Sequence, residues 1–219
     1  MNPSKSTGSL NDEIQQLLAG MNMPEEVRTV LRQGVERLKA DGVGQGLAVG
    51  EKAPDFRLPN QENRKVSLTE ELERGPVVLK FIRGEWCPIC NLDVAALQRV
   101  HPQLKELGAT LLVINPQKPD KGVALENRHN LGFDILSDEK QEVIRKFNLK
   151  FAVPMPVQGV YKTIGLNLPE HTANGSWNLP VPATFVLDRK GVIRARHVDV
   201  NYAQRMDPAD ILEAIRSLP

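Results

Sequence analysis

Phe81-Ile-Arg-Gly-Glu-Trp-Cys-Pro-Ile-Cys90 contains the only two cysteines of the chain, two residues apart. The run Val77–Ile82 that leads into it is strongly apolar and partly β-branched, and reads as a strand buried on both faces of a sheet. An apolar stripe at helical spacing leads out of it, through Ile89, Ala96, Leu97, Val100, Leu104 and Leu107. Pro88 suits the first position of that helix, where its missing N–H would be unpaired anyway. Cys87 then becomes the N-cap and Cys90 the third helical residue. Both sulfurs fall in the first turn, where the positive end of the helix dipole favours a thiolate. Cysteines three apart share one side of the helix, within reach of a disulfide.

Beyond this stretch strands and helices alternate. Thr110–Ile114 and Phe133–Leu136 read as strands, Lys121–Asn130 and Asp138–Phe147 as helices. The alternation then stops. Leu149–Pro182 is rich in Pro, Gly and Asn and reads as a long functional or mobile loop, with a short helix at Val160–Leu166. Ala183–Leu187 and Val192–His197 form a hairpin around Asp188-Arg-Lys-Gly191. Asp207-Pro208 opens a last helix ending near Leu218. Strands separated by helices pair in parallel, whereas the hairpin is antiparallel. The expected class is α/β, a mixed central sheet with helices on both faces.

Upstream, Ser67-Leu-Thr-Glu70 has the spacing of a capping box. Apolar residues recur at helical spacing from Leu10 to Lys39, interrupted near Gly20–Pro24. Two helices are expected there, packed on the main domain rather than forming a dimer contact. Asp41-Gly-Val-Gly-Gln-Gly46 reads as a linker. The chain thus divides into a helical extension and linker, residues 1–47, and a domain, residues 48–219. Met1–Gly8 is expected to be disordered.

The 219 residues carry a formal net charge of +1, which gives no reason to expect nucleic acid or an anionic membrane as partner. No apolar run approaches the roughly 18 residues of a bilayer-spanning helix. The first thirty residues lack the apolar centre of a secretory signal, so a cytoplasmic location is expected. Two cysteines in such a chain point to catalysis, redox sensing or metal rather than to a structural framework. One C-x-x-C supplies two zinc ligands, and His101, His129, His171 and His197 are scattered, each reading as a surface or structural histidine. Neither a metal nor an organic cofactor is expected.

Trp86-Cys-Pro-Ile-Cys90 at a strand-to-helix junction resembles the active site of the thioredoxin fold. Val181-Pro-Ala-Thr-Phe-Val-Leu-Asp188 resembles the segment where thioredoxin-like proteins carry a cis-proline facing the thiols, which implies a cis Val181–Pro182 bond. Gly50-Glu-Lys-Ala-Pro-Asp-Phe56, the Phe81–Cys90 stretch, Ala183–Ile193 and Asp207–Ile215 together resemble the alkyl hydroperoxide reductase / thiol-specific antioxidant family, whose peroxiredoxins share the thioredoxin-like fold. On the peroxiredoxin motif, Cys90 takes the place of the peroxide-attacking cysteine and Cys87 that of the peroxide-binding Thr or Ser. Arg83 falls at the motif's Pro, and Pro182 where the second-shell Arg lies. Arg83 or Arg196 would have to replace that guanidinium, and Asp93 stands at an acidic position that orients the catalytic loop. On the thioredoxin pattern, Trp86, Cys87 as exposed attacking thiolate, Cys90 as resolving thiol and Pro182 all match.

The resemblance implies an antioxidant thiol oxidoreductase. In one reading a thiolate attacks a peroxide, the Cys87–Cys90 disulfide follows, and a thioredoxin-like or small-thiol reductant restores the pair. In the other, the pair reduces protein disulfides. A redox-switched binding module is the third, non-enzymatic reading, and a homodimer is compatible with each. Which cysteine meets the oxidant stays open at this stage.

Overall fold

The computed structural model describes residues 8–218, so the expected disorder of Met1–Gly8 lies, Gly8 apart, outside the described residues. Ser9 opens helix α1 (Leu10–Gly20): its hydroxyl accepts from the Asp12 N–H while the Asp12 carboxylate accepts from the Ser9 N–H, a reciprocal cap. Helix α2 (Glu25–Ala40) follows. Strands β1 (Arg57–Pro59) and β2 (Lys65–Ser67) form a small antiparallel pair, and Ser67 caps helix α3 (Leu68–Arg74). Then come β3 (Val77–Phe81), α4 (Pro88–Glu106), β4 (Thr110–Asn115), α5 (Pro119–His129), β5 (Asp134–Ser137) and α6 (Glu142–Lys146). The chain finishes with β6 (Lys150–Ala152), α7 (Met155–Thr163), α8 (Leu168–His171), β7 (Asn178–Pro180), β8 (Ala183–Leu187), β9 (Ile193–Val198) and α9 (Pro208–Arg216).

Five strands build the main sheet in the order β5-β4-β3-β8-β9. β3, β4 and β5 are parallel, β8 is antiparallel to β3, and β9 is antiparallel to β8. This is the mixed α/β sheet that the alternation of elements implies. β3 is central and buried along its whole length. Its side chains alternate between two apolar cores, with Val78 facing α4 and α9, and Val77, Leu79 and Phe81 facing the opposite side. α1 packs on the α4 side through the buried Leu10 and Ile14.

Three expectations give way. The helix expected over Asp138–Phe147 is shortened to α6, because the Asp138 carboxylate accepts from the N–H groups of Glu142 and Ile144 and holds the preceding residues in a turn. Leu149–Pro182 is not a loop. β6 and β7 pair antiparallel, and α7 packs on α2 around a third apolar cluster of Val153, Val157, Val160, Tyr161, Leu168 and Leu179. The helix there starts at Met155, just after Pro154, rather than at Val160. Finally, the described residues hold no cis peptide, so the Val181–Pro182 bond is trans. Val181 donates to the Leu149 carbonyl at 2.8 Å and the chain runs from β7 into β8 without a turn, a path that extended trans backbone follows.

Candidate active site

The chain leaves β3 and reverses at Gly84, whose φ of +150° favours glycine. A Cβ there would stand 2.6 Å from Trp86 Nε1 and 2.7 Å from Gln117 Oε1, so no side chain fits. Gln117 fastens the turn: its Oε1 accepts from the Glu85 N–H at 2.7 Å and its Nε2 donates to the His171 carbonyl at 3.0 Å. Cys87 donates its N–H to the Gly84 carbonyl at 3.2 Å and becomes the N-cap of α4, with Pro88 first and Cys90 third in the helix. Both cysteines are free thiols and both are buried, Cys87 at 3 % and Cys90 at 0 % exposure. The expected exposed Cys87 is therefore corrected: it lies within the apolar core cluster against which Trp86 packs.

The two sulfurs differ. Burial opposes ionisation of Cys90, but the hydrogen bond from Cys87 and the guanidinium groups of Arg205 and Arg83 outweigh it and lower its pKa to about 5. Cys87 moves the other way, pushed well above the ordinary range by the hydrogen bond it gives Cys90 and by burial. The thiolate thus belongs to Cys90.

Arg205 Nη2 lies 3.9 Å from Cys90 Sγ. Its Nε donates to Asp93 Oδ2 at 2.7 Å, and its Nη1 to the carbonyls of Tyr202 and Gln204. Asp93 is buried in α4 and also accepts from Lys80 Nζ of β3, at 2.7 Å on the same oxygen. Arg83 is stacked between rings, 4.8 Å from the centre of Trp86 and 4.7 Å from that of Tyr202, and donates to the Tyr161 hydroxyl. Its Nε is buried with no partner. Pro182, Arg83, Tyr161 and Tyr202 line a mainly apolar cavity of about 30 Å³ that Leu31, Val35 and Leu38 of α2 wall on the far side.

Cys87, Cys90, Trp86, Arg83, Asp93 and Pro182 are thus brought together. Arg196 is not among them; it donates to the Leu47 carbonyl instead. Glu85 is largely buried beside Arg128 and His171, at 3.7 and 3.9 Å. Sequence reading missed Arg205, Tyr161 and Tyr202, which come to the site from distant segments without a motif, and Lys80, hidden in the apolar run of β3. Trp177 anchors its segment in the third apolar cluster, with Lys162 Nζ 5.5 Å from its ring centre. No group of three or more His, Cys, Asp or Glu among the described residues is placed to hold a metal ion.

Known proteins resemble this chain in fold and in sequence. The fold is similar to that in the crystal structure of Peroxidoxin BcpB from Mycobacterium tuberculosis, with a TM-score of 0.61 at 19% identity over 79% of this chain and 99% of that one. In sequence, the chain is 31% identical over 103 residues to Peroxiredoxin Bcp of Escherichia coli (strain K12), which is 47% of this chain and 65% of that protein's length. It is also 24% identical over 148 residues to the thiol-disulfide oxidoreductase ResA of Bacillus thuringiensis subsp. konkukian (strain 97-27), covering 67% of this chain and 68% of that protein. The model of the AhpC/TSA family matches residues 49–196, more than half of the sequence, and the chain belongs to that family.

Proposed function

We propose that this chain is a thiol peroxidase in which Cys90 attacks the peroxide and Cys87 resolves the product. The observation that carries the reading is the asymmetry of the pair: the sulfur with a pKa of about 5 is the deeper one, beside Arg205 and sealed from solvent. The buried Nε of Arg83, which has no partner in the protein, offers a donor to a peroxide that enters past the cover over the thiols. Cys90 becomes a sulfenic acid, Cys87 condenses with it to a disulfide, and an external dithiol, thioredoxin-like or a small thiol, restores the pair. Trp86 adjoins Cys87 and would report the step. Stopped-flow Trp fluorescence with hydrogen peroxide is expected to show oxidation much faster than that of a free thiolate at equal pH, lost in Cys90→Ser. A rate no faster than the free thiolate would sink the peroxidase assignment.

The second reading, reduction of protein disulfides, is favoured by the C-x-x-C pair itself and by the likeness to ResA. It requires the cover over Cys87 to open, and an insulin-reduction assay tests it. A cytoplasmic location, where dithiol reductants are present, belongs to the same proposal. Among the described residues no helix is long and apolar enough to cross a membrane.

A further inference from the structure

Lys80 and its partner Asp93 are buried charges at the site with no part in the steps above. Lys80 stands mid-strand in β3, on the face shared by Val78, with 1 % of its side chain exposed. Its Nζ lies 2.7 Å from Asp93 Oδ2 and 3.1 Å from Thr184 Oγ1 of β8. Arg205 shares that Asp93 oxygen and reaches Cys90 with its other arm. The groups facing Lys80 are therefore Asp93 and Cys90 from α4, Arg205 from the segment before α9, Thr184 from β8, and His197 from β9, which burial and Lys80 itself keep below its ordinary pKa. Arg83 completes the set beyond Cys90.

With Cys90 as thiolate, three buried cations (Lys80, Arg83, Arg205) face two buried anions (Asp93, Cys90). Disulfide formation removes one anion and leaves a single carboxylate against three cations. Arginine does not give up a proton inside a protein, whereas a buried lysine does so readily. Burial already pulls the Lys80 amine below its ordinary range. The Thr184 hydroxyl, an acceptor for the ammonium, can rotate to donate to the neutral amine, so the buried nitrogen keeps a partner in both forms.

The proposed chemistry needs such a donor. A Cys90 thiolate, a Cys87 thiol and a hydroperoxide ROOH together hold one proton fewer than the disulfide, ROH and water. We infer that Lys80 stores that proton, as an ammonium while Cys90 is a thiolate and as a neutral amine once the Cys87–Cys90 disulfide has formed. The Cys90 sulfur bonds to one peroxide oxygen as the O–O bond breaks, and the departing RO⁻ takes a proton. The Cys87 sulfur then bonds to Cys90 as the S–O bond breaks, and hydroxide leaves as water with a second proton. The Cys87 thiol and Lys80 supply the two. The sulfurs lose two electrons and the peroxide gains them. Lys80 touches no substrate; its proton leaves through Asp93 Oδ2, 2.7 Å away, so Lys80 serves as a proton store behind the reacting atoms.

The inference rests on the Cys87–Cys90 couple assigned above, and its test uses no peroxide. The full chain is equilibrated with glutathione and its disulfide around pH 7, quenched, alkylated and weighed. Reduction of one glutathione disulfide takes up two protons at this pH, since glutathione is then a thiol. If oxidation of the chain releases two protons, from Cys87 and Lys80, the equilibrium constant is independent of pH. If Lys80 keeps its proton, only one is released, and the constant falls tenfold per unit rise in pH. The wild type is expected to show no change, and Lys80→Met and Lys80→Arg a tenfold fall per unit. The arginine variant keeps the charge, so loss of charge alone does not explain that fall. A tenfold fall in the wild type overturns the inference, with or without a folded variant, as does a pH-independent constant in both variants. A disulfide that forms with glutathione but not with peroxide overturns the peroxidase reading alone.

Discussion

At the level of single residues, the decisive contact joins side chains 115 positions apart, Arg205 and Cys90. A cation at that distance holds a thiolate in place against burial. The rate of reaction with peroxide should therefore be flat at neutral pH and fall tenfold per unit below about pH 5, as the Cys90 thiolate takes up a proton. Stopped-flow rates across an acid series check this. In Arg205→Met the midpoint should rise by roughly one unit or more, the usual effect of losing an adjacent opposite charge. Asp93→Asn would leave Lys80 and Arg205 buried without their carboxylate and should cost about 3–5 kcal/mol, measured by urea denaturation. The cysteine pair and the N-cap role of Cys87 were legible because they depend on neighbours in sequence: a proline at the first helical position and an apolar stripe of period 3.6. Arg205 was not legible, because nothing local distinguishes it from any other basic residue.

Among the elements, β3, α4 and the β8–β9 hairpin were readable for the same reason, since each carries its period in its own residues. Leu149–Pro182 was not. Its Pro and Gly content suits a loop, yet β6 and β7 exist through pairing of Lys150 with Pro180 and Phe151 with Leu179. Long-range pairing overrides composition there. The α2–α7 contact depends on a single missing side chain: a Cβ on Gly34 would stand 2.6 Å from Val157 Cγ2. Gly34→Leu should push the two helices apart at a cost of roughly 1–3 kcal/mol. Because this pair walls the cavity beside Arg83, alkylation of the native thiols by iodoacetamide should also become faster.

For the molecule as a whole, the two ends of the described chain meet at the site. Asn11 donates to the Arg205 carbonyl at 2.9 Å and accepts from its N–H at 3.1 Å, while the Leu10 N–H donates to Asp207 at 2.9 Å. Helix α1 therefore buttresses the segment that carries Arg205. Ile14, fully buried against the α4 side, tests this: Ile14→Ala should cost about 2–5 kcal/mol and raise the Cys90 pKa together with the loss, seen in the same acid series.

The distance in sequence between Cys90 and Arg205 also has a consequence in time. During synthesis both thiols leave the ribosome well before the arginine that ionises Cys90 has been added. Until the last segment folds back beneath α4, Cys90 lacks one of the groups that lower its pKa, the Cys87 hydrogen bond and Arg83 being the others. The nascent chain is thereby less prone to oxidation, and a chain cut short before Arg205 would carry a less acidic Cys90.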